Sequence, residues 1–145
     1  MAGYDERTRK ILHRMWEIGD AVPDLLPGND LVHIDYARGN VLTDEFGRIT
    51  GVIDWNGGVA RGDRNFALVS LRSDMEWKVL SETGIDDVHR AATDRLDRVL
   101  DERLDPVTLR AYWGFWTLMK LAGLIWAQAP HALDVFVELG FRRLF

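Results

Sequence analysis

Two carboxylate residues and one carboxamide residue lie close together in the sequence: Asp35, Asp54 and Asn40. Asp35 and Asn40 bracket a short loop after an apolar segment, and Asp54 follows the second of two β-rich segments. Phosphoryl transfer from ATP requires one carboxylate beside the acceptor hydroxyl and two oxygen ligands for Mg²⁺. The set is suited to that chemistry: Asp35 would accept the hydroxyl proton, and Asn40 and Asp54 would bind the metal.

Each of these residue types also has an ordinary structural interpretation. Asp and Asn are common in turns, and an Asp after a strand often caps a helix. Two hard oxygen ligands suit Mg²⁺, which keeps several water molecules, whereas Ca²⁺ would call for a full protein cage. No single one of the three residues indicates catalysis. Their order and spacing, taken together, favour the catalytic interpretation.

The secondary structure predicted around these residues indicates an α+β, predominantly helical protein. Two β-rich segments, at 41–43 and 49–53, flank a turn at 44–47, where Gly47 can take a positive φ. Helices are predicted at 4–18 with Gly19 as C-cap, at 63–77 with Asp63 as cap, and at 86–103, 106–128 and 132–139. Residues 20–30 form a connector. The architecture is a helical domain that carries a small β-hairpin.

Two of the predicted helices show an apolar face. It is formed by Ile11, Leu12, Met15 and Trp16 in the first helix, and by Val88, Ala92, Leu96 and Val99 in the helix at 86–103. The glycine-rich residues 57–62 are consistent with a flexible loop that follows the metal-binding residue, or with a plain surface loop.

Composition narrows the class of protein. The 145 residues suggest one domain, and 47% hydrophobic content is enough for a packed core. A net charge of −5 gives no basic surface for nucleic acid and would favour a cationic small molecule. The chain has no cysteine, and its four His are not spaced as zinc ligands. The polar amino terminus is unlike a secretory signal, so a cytoplasmic location is expected.

Residues 111–129 approach the length of a membrane span, with Lys120 as their only formal charge. Lys120 lies near the middle, where a charge is costly in lipid, and the tryptophans are not confined to the two ends. We therefore predict a buried core helix and no membrane partner.

Residues 31–55, with Gly62 and Asp63 beyond them, resemble the aminoglycoside phosphotransferase and choline kinase superfamily. Its members often show His-Gly-Asp-x-x-x-x-Asn, then Ile-Asp-Trp, then Gly-Asp, which match residues 33–40, 53–55 and 62–63. The resemblance implies that residues 1–145 are a kinase-like carboxy-terminal lobe using Mg²⁺ and ATP or another nucleoside triphosphate. It also implies Asp35 as catalytic base, Asn40 and Asp54 as metal ligands, and a structural role for His33.

The chain departs from that pattern at several positions. Ile34 stands where Gly is usual, and residues 36–38 differ from the common stretch, although Arg38 could still face a phosphate. Ala67 stands where many relatives carry an Asp that, by analogy, braces the catalytic loop through backbone amides. The loop is therefore expected to lack that brace.

The family's amino-terminal nucleotide-binding lobe has no counterpart in these residues. We therefore expect a fragment or a natural truncation with weak ATP binding, whose exposed apolar surface is covered by homo-oligomerisation or by a separate lobe. The expected acceptor is a small hydroxyl compound, and Asp74, Glu76 and Trp77 could meet a cationic one. The alternatives are an inactive relative that binds a ligand or partner, and an unrelated helical module.

Overall fold

The structure is a computed structural model that describes residues 5–22, 28–81 and 84–145. The chain divides into two compact units. One, the helical unit, comprises Met1–Asp24 and Asp105–Phe145, and the other, the mixed unit, comprises Leu25–Leu104. The three candidate residues Asp35, Asn40 and Asp54 belong to the mixed unit.

The helical unit consists of α1 (Glu6–Ala21), α4 (Pro106–Trp126) and α5 (Pro130–Leu144). Its interior contains fully buried aliphatic side chains from all three helices: Ile11, Leu121 and Leu144. Asp105 caps α4 by accepting bonds from the N–H groups of Val107 and Thr108, both at 3.0 Å. No helix in the described parts of the chain is long and apolar enough to cross a membrane. The prediction of a buried core helix here is partly correct, since one side of α4 is buried, including Leu121 and Leu124, whereas Met119 and Trp126 are exposed.

Two details of α1 correct the sequence prediction. The helix continues through Gly19 to Ala21, and Val22 is its C-cap. Trp16 is 67% exposed, while Ile18 is buried and packs near Gly114 of α4. Because Ile18 is held by tertiary packing, the helix extends past a glycine that local propensity would make its end. Likewise, α5 is longer than the predicted 132–139.

The mixed unit contains two antiparallel two-stranded sheets. Strand β2 (Val41–Thr43) pairs with β3 (Ile49–Val52), which confirms the predicted hairpin, and Gly47 has φ +77° in its turn. Strand β1 (Asp30–His33) pairs with β4 (Val59–Gly62). The prediction of a loop across residues 57–62 is therefore wrong for β4. Its strand depends on a partner far away in sequence, which local patterns do not show.

The helices of the mixed unit are α2 (Asn65–Met75) and α3 (Asp87–Arg103), with a short 3₁₀ segment at Glu76–Leu80 after α2. Asp63 accepts a bond from the N–H of Asn65 at 2.9 Å, but the N-cap of α2 is Arg64, so the helix begins later than the predicted cap at Asp63. Arg72 joins α2 to α3 through two bonds to Asp97, both 3.0 Å.

The predicted apolar stripe of α3 is only partly correct. Val88 is 81% exposed, while Leu100, outside the stripe, is buried. The predicted connector at 20–30 begins as helix, and its residues 23–27 lie outside the described residues.

Candidate functional site

Asp35 begins a loop that follows β1 and closes on itself. The main-chain oxygen of Asp35 accepts bonds from the N–H of Ala37 and from Nδ2 of Asn40, both at 2.9 Å. The N–H of Asn40 in turn donates to the oxygen of Ala37 at 3.0 Å. These bonds fix Asn40, the last residue of the short 3₁₀ turn Arg38–Asn40, relative to Asp35.

The bond from Asn40 also sets the orientation of its amide. A main-chain carbonyl can only accept, so the atom that faces Asp35 must be the NH₂ group of the side chain. The amide oxygen Oδ1 of Asn40 is then the atom left to bind a cation.

The hairpin brings Asp54 to the same loop through the residue that precedes it. The N–H of Ile53 donates to the main-chain oxygen of Asn40 at 2.9 Å. The oxygen of Ile53 accepts from Nε2 of His33, also at 2.9 Å. Ile53 is therefore bonded on one side to Asn40 and on the other to His33, the buried last residue of β1. The structure thus brings together the segments that carry the three candidate residues.

Asp54 has an unusual backbone conformation. Its φ of 61° and ψ of 40° are left-handed, and it precedes the 3₁₀ turn Trp55–Gly57. Such a conformation is unfavourable for residues other than glycine, although Asp and Asn tolerate it better than most, and it is often found at functional sites. Both Asp54 and Asp35 are exposed. Within the described ranges, neither carboxylate has a hydrogen bond or ion pair, so both can meet a ligand.

The segment after Asp54 is joined to the residues around Asp35. The N–H of Ile34 donates to the oxygen of Gly58 at 3.0 Å. Gly58 has φ +157°, and a Cβ atom there would lie 3.1 Å from Cβ of Ile34. The ring of Trp55 lies 4.7 Å from that of His33, measured between centroids. The large residue at position 34 is thus accommodated by a glycine at position 58.

The side chain of Asp44 makes several bonds across the turn of the hairpin. Asp44 Oδ1 accepts from the N–H groups of Phe46 and Arg48, both at 2.9 Å, and Oδ2 accepts from Nε of Arg48 at 2.7 Å. The main-chain bond from Arg48, followed by its side-chain bond, lowers the pKa of Asp44 below the ordinary value. The ionised carboxylate of Asp44 therefore adds to the main-chain bonds that close the turn.

The other predicted site residues lie in different surroundings. Nε of Arg38 donates to Oδ2 of Asp74 at 2.9 Å, so these two candidates contact each other. Glu76 is buried, and its carboxylate lies 3.7 Å from the guanidinium of Arg72. Trp77 is 40% exposed. The contact between Arg38 and Asp74 was missed from the sequence, because 36 residues separate them and no motif links them.

The candidate metal ligands suit Mg²⁺ by their chemistry. The described part of the chain contains no group of three or more His, Asp or Glu side chains that could hold a metal ion. An Asn oxygen and one carboxylate are hard ligands, and Mg²⁺ commonly takes one or two carboxylates together with water and substrate phosphates. Asn40 Oδ1 and Asp54 fit such a partial ligand set.

Comparison with known proteins gives one family match. The sequence model of a family described as "Phosphotransferase enzyme family" matches residues 2–64, a segment that includes Asp35, Asn40 and Asp54. This segment is less than half of the chain. No curated protein and no solved structure matches the sequence. The resemblance found in the sequence is therefore confirmed over residues 2–64, which are similar to the phosphotransferase enzyme family.

Proposed function

We propose that the mixed unit carries the base and the metal ligands of an ATP-dependent phosphotransferase acting on a small hydroxyl compound. The observation that carries the proposal is the bonding of Ile53. Its N–H donates to Asn40 and its oxygen accepts from His33, which ties the residue before Asp54 to the loop that contains Asp35. The family match over residues 2–64 supports the same chemistry.

In the proposed reaction, Asp35 accepts the proton of the acceptor hydroxyl. The acceptor oxygen forms a bond to the γ-phosphorus of ATP, while the bond from that phosphorus to the oxygen leaving with ADP breaks. Asn40 Oδ1 and the Asp54 carboxylate would hold Mg²⁺, which when bound neutralises charge on the phosphate groups. The protein contributes mainly by positioning the groups, since phosphoryl transfer needs little covalent participation.

Contacts within the mixed unit limit the residues assigned to substrates. Arg38 engages Asp74 through Nε; its terminal nitrogens remain to face a nucleotide phosphate. Glu76 is buried beside Arg72, so we leave it out of the acceptor site. Trp77, which is partly exposed, is kept as a candidate contact for a cationic acceptor.

A transfer assay with γ-labelled ATP, Mg²⁺ and a panel of amino sugars and amino alcohols tests the proposal. We expect a labelled product from the wild type. Asp35→Asn should lose transfer but still bind nucleotide, and Asp54→Asn should lose both. Asp94→Asn, which changes an exposed acid on α3, is the matched control and should behave as the wild type.

The assay also separates the competing interpretations. Nucleotide binding without transfer to any acceptor would favour an inactive relative that binds a ligand. Transfer that survives in Asp35→Asn would remove Asp35 from its proposed role.

A further inference from the structure

Asp74 makes an unusual double contact with the loop that carries Asn40. Its Oδ2 accepts from the main-chain N–H of Arg38 at 3.2 Å and from Nε of the same residue at 2.9 Å. The side chain of Asp74 is 25% exposed and that of Arg38 is 49% exposed. One carboxylate oxygen on α2 therefore holds both the backbone and the side chain of Arg38.

The position of this contact gives it a structural consequence. Arg38 is the first residue of the 3₁₀ turn Arg38–Asn40, and the first N–H groups of a helix have no partner inside it. Asp74 supplies an acceptor for one of them. Because Asn40 lies two residues further along the same short turn, a contact that fixes Arg38 also fixes the backbone from which Asn40 projects.

The location of Asp74 on α2 is also informative. Asp74 lies in the last turn of α2, where an acidic side chain is disfavoured by the partial negative charge of the helix end. A carboxylate at such a place is stabilised by a cationic partner, and Arg38 provides it through a charge-assisted bond. Ala67, where the sequence predicts a missing brace, lies seven residues earlier, about two turns along the same helix.

We infer that Asp74 is a positioning residue, which braces the catalytic loop through the amide of Arg38 and so holds Asn40 in place to bind the metal. The inference rests on the proposed function for the role of Asn40, while the contact itself is independent of it. The brace expected to be missing at position 67 is still missing; in this inference the loop is supported from position 74.

Hydrogen exchange of the Arg38 amide, measured by NMR on the whole chain, tests the contact. Asp74→Ala should speed exchange of this amide by about tenfold, as expected when a hydrogen bond to a charged group is lost. Exchange of the Val69 amide, at a buried position on α2, should not change and serves as the internal reference for folding. Unaltered exchange at Arg38 in Asp74→Ala would overturn the inference.

Further variants separate the bond made by the main-chain N–H of Arg38 from the bond made by its side chain. Asp74→Asn keeps an acceptor oxygen, and Arg38→Ala keeps the main-chain N–H, so both should retain most of the protection at position 38. Arg64→Ala breaks a comparable pair, Arg64 Nε to Asp30 Oδ2 at 3.0 Å in the same unit, and should have no effect. Loss of protection in Arg64→Ala would mean that any broken ion pair loosens the loop, which contradicts a specific brace.

The positioning role needs a second measurement, because a purely structural contact would not affect metal binding. Mn²⁺ titration should show an apparent affinity several-fold lower in Asp74→Ala than in the wild type, with recovery in Asp74→Asn. Equal affinity in wild type and Asp74→Ala, despite rapid exchange at Arg38, would overturn the role. Absence of Mn²⁺ binding in the wild type would instead refute the proposed function, whatever the exchange rate of the Arg38 amide. The positioning role of Asp74 in metal binding would then be refuted as well.

Discussion

Nε2 of His33 donates a hydrogen bond to the main-chain oxygen of Ile53 over 2.9 Å, which joins the end of β1 to the residue before Asp54. Because the carbonyl can only accept, Nε2 must carry the proton. Nδ1 of the ring is buried and has no hydrogen-bond partner among the described residues. This bond from a buried ring is therefore one of the contacts that link the segments of Asp35 and Asp54.

Removal of this bond should destabilise the mixed unit. His33→Phe keeps an aromatic ring against Trp55 but leaves the Ile53 oxygen without its partner, at an expected cost of about 1–3 kcal/mol. Urea denaturation of the two proteins measures the difference. His13→Phe, at an exposed position on α1, should leave the free energy of unfolding almost unchanged. An equal effect of the two substitutions would show that the bond is unimportant.

The left-handed conformation of Asp54 predicts a reversed preference between alanine and glycine. Asp54→Ala should be less stable than Asp54→Gly by about 1 kcal/mol, because glycine adopts a positive φ without a steric penalty. The same pair at Asp94, inside α3, should show the opposite order by about 1 kcal/mol, since glycine weakens a helix. Urea denaturation of the four variants checks both. Greater stability of Ala than Gly at position 54 would contradict the observed backbone.

The hairpin turn should make stability depend on pH through Asp44. Hydrogen bonds from the main chain and side chain of Arg48 lower the pKa of Asp44 from its ordinary 3.8. An acid with a lowered pKa stabilises the fold at pH values above its ordinary pKa, and this contribution is lost as the pH falls through the lowered value.

Asp44→Asn should therefore be less stable than the wild type near neutral pH, and the difference should shrink below about pH 4. Urea denaturation over this pH range measures the difference. Glu45→Gln removes the neighbouring exposed acid and is the control. A constant difference between wild type and Asp44→Asn across the range would rule out this linkage.

Gly58 should tolerate alanine poorly. A Cβ atom at this position would lie 3.1 Å from Cβ of Ile34, and φ is +157°. We expect Gly58→Ala to lower the free energy of unfolding by about 1–3 kcal/mol, through strain and crowding. The control is Gly123→Ala on α4. A Cβ atom at Gly123 would have no neighbouring atom within 4 Å, so this substitution should be neutral or stabilising. If both variants are equally stable in thermal denaturation, the close approach of Ile34 and Gly58 is not supported.

Much of the site could be predicted from the sequence because it depends on local patterns. The hairpin, its turn at Gly47 and the helix that begins at Pro106 follow from residue types at short spacing. The grouping of Asp35, Asn40 and Asp54 depends on a motif of known order. The catalytic and metal-binding roles of these residues stay a prediction.

The remainder depends on contacts that no local pattern shows. Strand β4 forms because it pairs with β1, and α1 continues past Gly19 because Ile18 is buried. The contact of Arg38 with Asp74 depends on where α2 lies relative to the loop. The left-handed backbone at Asp54 is likewise imposed by its surroundings, since Asp has no intrinsic need for it.

Paramagnetic broadening by Mn²⁺, used in place of Mg²⁺ with ATP present, tests the central claim most directly. The indole N–H of Trp55, which donates to Val52 at 2.9 Å, follows Asp54 in sequence and gives a suitable NMR signal. We predict that substoichiometric Mn²⁺ broadens this signal in the wild type, in Asp35→Asn and in Asp94→Asn, but far less in Asp54→Asn and Asn40→Ala. Equal broadening in all five proteins, or none in the wild type, would contradict a metal site formed by Asn40 and Asp54.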